Sequence, residues 1–319
     1  MINSEWDLIK RIKKIAETGN PLPGLVKGIG DDCAVYRISE KKYGLFSTDI
    51  SVNNIHFNTS FCSWRDIGYK AVAANISDIL AMGGSPILAL SALVIPDSME
   101  DEDIDELYLG MTECAGKFNT VIAGGDISRG SEPAISISIY GETENPVYRS
   151  GAQAGDYLYI TGDTGRSRGG LEIMQERLSP DQFPGLIKKH LRPSPAENYK
   201  TVIDTFTPNA MIDISDGIIS DIKHICAESN KGFKINCDSL PVHKELKNYC
   251  AKRGRDHIEY ALSSGEEYEL LFTSAKMIDN IEGISLIGEI TDCGEVYFRS
   301  GKEWVPMIKG YEHFKNKEK

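Results

Sequence analysis

The residues best suited to chemistry in this sequence are aspartates in five short segments. These are Gly28-Ile29-Gly30-Asp31-Asp32, Ser47-Thr48-Asp49, Asn75-Ile76-Ser77-Asp78, Gly124-Gly125-Asp126 and Asp213-Ile214-Ser215-Asp216-Gly217. Each places a carboxylate at a strand end, a turn or one helix face, beside glycine or a small hydroxyl residue. Asn75 and Asp78 are three apart on one helix face, among Ala71, Val72, Ile76, Ile79, Leu80 and Met82, which demand burial. An ionised carboxylate there is costly unless it is paired or coordinates a cation, and no lysine or arginine lies in the following turns. A core aspartate capping a neighbouring element is the other reading. Asp213 and Ser215 share one side of a strand of period two, while Asp216 can N-cap the helix starting at Gly217-Ile218.

Carboxylates gathered in one cleft repel by about 4 kcal/mol per pair at ~4 Å and an effective dielectric near ~20. Divalent cations reverse that sign. Aspartate oxygens with hydroxyls such as Thr48 suit hard Mg²⁺, which keeps waters and shares its shell with substrate phosphates. An acidic protein can then bind an anionic nucleotide, because the metal supplies the positive charge. Other phosphate-binding devices are missing: there is no G-x-x-x-x-G-K-[ST], no H-R-D and no D-F-G. Gly162-Asp163-Thr164-Gly165, with Gly169-Gly170, reads either as a phosphate-cradling turn or as a plain strand-to-helix loop.

The elements that must position these segments alternate along the chain. Strands are expected at 34–38 and 43–48, as a hairpin around Glu40-Lys41-Lys42. Ser63-Trp64-Arg65-Asp66 has the form of a capping box opening a helix over 67–82, which Gly83-Gly84-Ser85-Pro86 stops. A long strand over 87–95 follows, then a helix opened by Ser98-Met99-Glu100-Asp101 and ending near Phe118. Strands over 120–123, with Gly124-Gly125-Asp126 just after, and over 134–140 precede a Gly/Pro-rich break at 142–156. Beyond it come strands at 157–160, 210–214 and 268–273, with helices at 196–205 and 218–229. With 319 residues, this mixture points to two α/β or α+β domains.

Composition narrows the function classes. A net charge of −12 disfavours nucleic acid and anionic membranes as partners. No apolar run approaches the roughly 18 residues of a membrane span, and the start is neither basic nor followed by an apolar signal core, so export is not expected. The seven cysteines are scattered and include no C-x-x-C, as expected for reduced thiols in a cytoplasm.

In order and spacing these segments resemble the thiamine-monophosphate kinase family, of the aminoimidazole-ribonucleotide synthetase superfamily, from near Ser4 to Phe314. Further stretches carry the likeness: Lys70-Ala71-Val72-Ala73-Ala74-Asn75, Arg149-Ser150-Gly151-Ala152, Arg192-Pro193-Ser194-Pro195, Ser264-Gly265-Glu266-Glu267-Tyr268-Glu269-Leu270 and Gly310-Tyr311-Glu312-His313-Phe314. The resemblance implies an α/β (α+β) fold of two domains, 1–148 and 149–319. The first would bind ATP and metal and mediate dimerisation; the second would complete the active site. It implies ATP-dependent, Mg²⁺-assisted phosphorylation of thiamine monophosphate to thiamine diphosphate. Asp31, Ser47, Thr48, Asp49, Asp78, Asp126, Asp213 and Asp216 would serve several Mg²⁺ ions; Gly125, Asp126, Arg149 and Ser215 would contact ATP. His56, Glu266 and Tyr311 would hold the thiamine-phosphate end. A guanidinium fork at Arg149 suits phosphate oxygens on chemistry alone. No general base is required. The superfamily also implies a cytoplasmic homodimer paired through N-terminal sheets. The alternatives are another ATP-dependent enzyme of the superfamily, or a non-catalytic sensor of thiamine phosphate or nucleotide. The sequence departs from the family at Ser264 and Glu267, where glycine and aspartate are usual; a serine at position 264 matters if positive φ is needed there.

Overall fold

The computed structural model describes residues 5–19, 22–292, 296–300 and 303–305. In chain order the elements are α1 (Glu5–Ala16), β1 (Leu25–Lys27), β2 (Ala34–Ser39), β3 (Lys42–Val52), α2 (Trp64–Ala81), β4 (Ser85–Ile95), α3 (Asp101–Lys117), β5 (Val121–Arg129) and β6 (Ala134–Thr143). They continue with β7 (Tyr157–Thr161), α4 (Arg166–Gln175), α5 (Pro184–Leu191), α6 (Tyr199–Thr201), β8 (Ala210–Asp213), α7 (Ile218–Ser229) and β9 (Gly232–Asn236). The last are α8 (Lys244–Arg253), α9 (His257–Ser263), β10 (Leu270–Ser274), β11 (Ile284–Thr291), β12 (Val296–Ser300) and β13 (Glu303–Val305).

The strands form two mixed sheets, in the orders β1-β2-β3-β6-β4-β5 and β13-β12-β9-β11-β7-β10-β8. The mixed α/β class expected from the sequence is the one observed. In the first sheet all pairs are antiparallel except β4 with β5, which α3 joins as a crossover. Helices α2 and α3 cover one face, with Val35, Leu45, Ile76, Ile79, Ile137 and Ile139 in the core between. The opposite face leaves Tyr36, Ile38, Phe46, Ile50 and Leu90 exposed.

Helix α2 positions the site, and its placement follows from local chemistry. Ser63 caps it by accepting from the Asp66 backbone N–H at 3.2 Å, and Met82 closes it. Against α3 the helices meet at glycines: a Cβ on Gly110 would lie 1.8 Å from the Arg65 carbonyl oxygen. The helix is buried nearly all round, because it packs on the first sheet and also reaches β8 of the second.

Several boundaries differ from the sequence reading. The strand expected at 120–123 runs on to Arg129, so Gly124-Gly125-Asp126 lies inside β5 and not after it; parallel pairing with β4 extends it. Gly125 permits that pairing, since its Cβ would sit 1.8 Å from the Ser91 carbonyl oxygen. The helix expected over 196–205 begins at Tyr199 and widens into a π turn over Val202–Phe206. The strand expected from Tyr268 starts at Leu270, because Glu266 and Tyr268 both take left-handed backbone, at φ 56° and 53°.

Candidate functional site

A cavity of about 790 Å³ opens between the two sheets, floored by one face of α2. Lys70, Ala74 and Asp78 repeat every four residues along that helix and all line the cavity. Asp78 marks an acidic end and Lys70 marks the other.

At the acidic end the turn after β1 supplies Asp31 and Asp32, β3 supplies Ser47 and Asp49, and β8 ends on Asp213. Carboxylate oxygens of Asp32, Asp78 and Asp213 lie within 4.8 Å of one another. Ser47 donates to Asp78 Oδ2, and Ser77 donates to Asp213 Oδ2 at 2.7 Å. Burial, then the charges of Asp49, Asp213 and Asp32, push the Asp78 carboxyl up strongly. Burial and Asp32 push Asp213 up to about 8 and Asp49 above its ordinary range. Asp31 rises to about 6 for the same reasons, against the pull of Lys27. Asn75 is no ligand here: its Oδ1 accepts from the Asp49 backbone N–H at 3.1 Å and so fastens β3 to α2.

Lys27 and Arg149 are the cations of this end: Lys27 Nζ lies 3.2 Å from Asp31 Oδ2, and Arg149 reaches both aspartates of the turn. Arg149 Nε donates to Asp32 Oδ1 at 3.1 Å, and its backbone N–H donates to Asp31 Oδ1 at 3.1 Å. The other oxygen, Asp32 Oδ2, is buried without a hydrogen-bond partner. A buried carboxylate oxygen with no donor, beside two further aspartates, has the charge and hardness that a divalent oxygen-liganded cation requires. The residues therefore fit Mg²⁺.

Asp216 and Ser215 line the same cavity. The expectation that Asp216 caps α7 is not met: Gly217 holds the N-cap position, with no side-chain cap bond. Asp221, buried in the first turn, instead accepts from the backbone N–H of Gly217 at 3.0 Å and of Asp216 at 3.3 Å. Asp216, Asp221 and His224 bring ligand atoms within 4.8 Å of one another. Burial and Arg149 hold His224 neutral, with its pKa lowered to about 3.

At the other end Lys70 Nζ lies 2.6 Å from Glu266 Oε2 and donates to the His56 carbonyl oxygen at 3.3 Å. His56 Nδ1 accepts from the Val52 backbone N–H at 3.1 Å, which leaves the proton on Nε2. The strap carrying Glu266 crosses the loop after β8: Glu266 N–H donates to Ser215 O at 2.7 Å and Tyr268 N–H to Ile214 O at 2.9 Å.

Ser264 sits at φ −76°, so serine costs nothing there. Buried Glu267 accepts from the backbone N–H groups of Gly165 at 2.8 Å and Ser167 at 3.0 Å, and from Ser264 Oγ at 2.6 Å. Ser264 Oγ also accepts from Arg168 N–H at 3.0 Å. The N–H groups of Gly165, Ser167 and Arg168 are therefore committed to protein acceptors, which favours a strand-to-helix loop over a phosphate cradle at 162–165.

Of the residues expected at the site, Thr48 lines the cavity, whereas Gly125 and Asp126 do not. Thr48 turns its hydroxyl to β6, donating to Ile137 O at 3.0 Å. Gly125 and Asp126 lie on exposed β5, separated from β3 by β6 and β4, and do not line the cavity of the single chain. Tyr311 falls outside the described residues. Sequence reasoning gave no role to Lys70, His190 or Asp221, and named Asp32 only within its segment. The doubled aspartate and the four-residue spacing of Lys70 to Asp78 were available signals; nothing local marks His190.

The fold and the acidic cavity define the class. Residues 30–143 match the family of AIR synthase related proteins, N-terminal domain. Thiamine-monophosphate kinase of Aquifex aeolicus is 37% identical over 97% of this chain and 98% of its own length. That of Rhodopirellula baltica is 37% identical over 88% of this chain and 84% of its own. A solved structure, AaThiL complexed with AMPPCP and TMP, superposes with a TM-score of 0.87 at 34% identity, covering 98% of this chain and 97% of that one. The chain belongs to the thiamine-monophosphate kinase family and is a kinase.

Proposed function

We propose that this kinase transfers the γ-phosphoryl group of ATP directly to the phosphate of thiamine monophosphate, in line, with several Mg²⁺ ions bound among Asp31, Ser47, Thr48, Asp49, Asp78, Asp126, Asp213 and Asp216. One observation carries the reading: a single cavity joins clustered carboxylates at one end to the Lys70–Glu266 pair at the other. The AMPPCP and TMP of the superposing relative are the ligand pair this arrangement would take. Held by these carboxylates, Mg²⁺ would supply positive charge to neutralise the phosphate oxygens. Asp32 is added to the ligand set on the strength of its unpartnered buried oxygen.

The residues of the chain then act by position. Arg149, fixed by Asp32, and Ser215 would face the nucleotide phosphates; Gly125 and Asp126, outside the cavity of one chain, would join them only across the homodimer. His56 Nε2–H, Glu266 and Tyr311 would hold the thiamine moiety. The acceptor is a phosphate monoester with a second pKa near ~6, already ionised at neutral pH, so no side chain needs to take a proton. Walls drawn from both sheets would exclude water as a competing acceptor.

The exposed apolar face of the first sheet, with Phe46, Ile50 and Leu90, supports a homodimer paired through these faces. The division at 148/149, between the last strand of the first sheet and the first of the second, belongs to the same reading. So does a cytoplasmic location, which the free cysteines favour; no helix among the described residues is long and apolar enough to cross a membrane. The deciding assay is product formation from ATP, Mg²⁺ and thiamine monophosphate. Absence of thiamine diphosphate with folded protein would leave a binding protein in place of a catalyst.

A further inference from the structure

Glu266 poses an electrostatic problem that the proposed reaction does not explain. Its carboxylate lines the cavity wall, on a residue held in left-handed backbone at φ 56°. Burial alone would push that carboxyl up; instead Lys70 holds it below its ordinary range. Lys70 projects from α2 with its side chain only 10% exposed and Nζ 2.6 Å from Glu266 Oε2. The other basic groups in reach are His56 and, on α5, His190, whose Nδ1 lies 3.6 Å from Glu266 Oε2 and 3.1 Å from Ser167 Oγ. Burial and the Lys70 charge keep His190 neutral, with a pKa of about 3, so it offers no counter-charge. His56 and Cys62 face the pair from the segment before α2, and Tyr268 lies beyond on the strap. Further along the cavity wall Arg168 is bound to Glu259 and Glu172, and no lysine or arginine other than Lys70 contacts Glu266 among the described residues.

We propose that Lys70 is a positioning and specificity residue, which acts through Glu266 by keeping its carboxylate ionised and aimed at the cationic, amine-bearing end of the acceptor. The inference rests on the reading that Glu266 contacts thiamine monophosphate. A thiazolium ring carries a positive charge and an aminopyrimidine offers N–H donors, so an ionised carboxylate attracts both, whereas a neutral carboxylic acid attracts neither strongly. The placement also separates duties along one helix. Lys70 lies two turns from Asp78, about 12 Å along the axis, so its charge serves acceptor recognition without entering the phosphate end.

The test is steady-state kinetics of Lys70→Met, Lys70→Arg, Glu266→Gln and the Lys70→Met/Glu266→Gln double variant, from pH 6 to 8.5 with saturating Mg²⁺. Lys70→Met should raise KM for thiamine monophosphate about tenfold or more, the scale of a lost charged hydrogen bond, while KM for ATP stays within about twofold. The defect should shrink as pH rises, because without its cation burial pushes the Glu266 carboxyl up, and higher pH restores the ionised form. Lys70→Arg should recover most of the affinity, and the double variant should be no worse than Glu266→Gln and lack the pH dependence. Lys70→Gln, which keeps a donor without charge, reports the same quantities if the methionine variant does not fold. An unchanged or pH-independent KM in the uncharged variants overturns the role of Lys70 while Glu266→Gln still raises KM. Should Glu266→Gln itself leave KM unaltered, the substrate reading of Glu266 falls first.

Discussion

Replacing Asp213 by asparagine should make the metal-free protein more stable and the enzyme nearly inactive. Asp213 is buried at the end of β8, with a pKa near 8 in the native state against an ordinary 3.8, raised by burial and then by Asp32. The native state therefore holds that proton more tightly than the unfolded chain does. The site costs nothing at low pH and penalises folding increasingly as pH rises towards 8. At about 1.4 kcal/mol per pH unit above the ordinary value, the loss is on the order of 4 kcal/mol by pH 7. Direct repulsion agrees in scale: carboxylates within 4.8 Å oppose one another by about 3 kcal/mol per pair at a dielectric near ~20. Asparagine keeps the shape and an oxygen to accept from Ser77, so it removes the penalty without opening a cavity. Allowing for relaxation, scanning calorimetry in EDTA at pH 7 should show a gain of about 2–4 kcal/mol, or roughly 3–8 °C in Tm. The gain should fall by more than half at pH 5. Added Mg²⁺ should raise the Tm of the wild type and not of the variant, while turnover drops at least ~100-fold. A variant that melts no higher than wild type in EDTA at pH 7, or that retains turnover, refutes the reasoning.

Asp49→Asn and Asp126→Asn should each cut turnover far more than they alter folding, measured as kcat beside Tm; equal activity in either removes that residue from the ligand set. Gly110→Ala should destabilise by at least ~3 kcal/mol, since its methyl would meet the Arg65 carbonyl at 1.8 Å and force α2 from α3; a soluble variant with unchanged Tm would disprove this. Arg192 stacks 4.6 Å from the Tyr69 ring and pairs with Asp66 and Glu113, tying the segment after α5 to α2 and α3. Arg192→Met should cost about 1–2 kcal/mol in 0.1 M salt, and urea titration checks it. Ile50→Glu on the exposed face of the first sheet should yield a monomer by light scattering; an unaltered mass would dismiss that face as the pairing surface.

Much of the fold was legible because its signals are local. Ser63 caps α2 through Asp66, the apolar run of β4 alternates between faces, and 218–229 is helical as its periodicity indicates. Legibility ended where a partner far along the chain decides the outcome. β5 runs through Gly124-Gly125-Asp126 because β4 lies alongside, and the cap of α7 falls to Gly217 because Asp221 turns back on the loop. Ser264 and Glu267, which read as departures, form one hydrogen-bonded unit that closes the start of α4.

By itself the order of residues determined the acidic and hydroxyl inventory, the helices and strands that carry it, the lack of a P-loop, and a likeness to one kinase family. Only the tertiary structure decided that a turn, a helix and a strand end bring Asp32, Asp78 and Asp213 together, and that Lys70 meets Glu266 across 196 positions. The reason is physical. Side-chain type and period are properties of neighbours in sequence, whereas desolvation and pairing depend on what packs against a group from elsewhere. Those two quantities set whether a carboxylate is a solvated surface charge, a cation ligand or half of a buried ion pair.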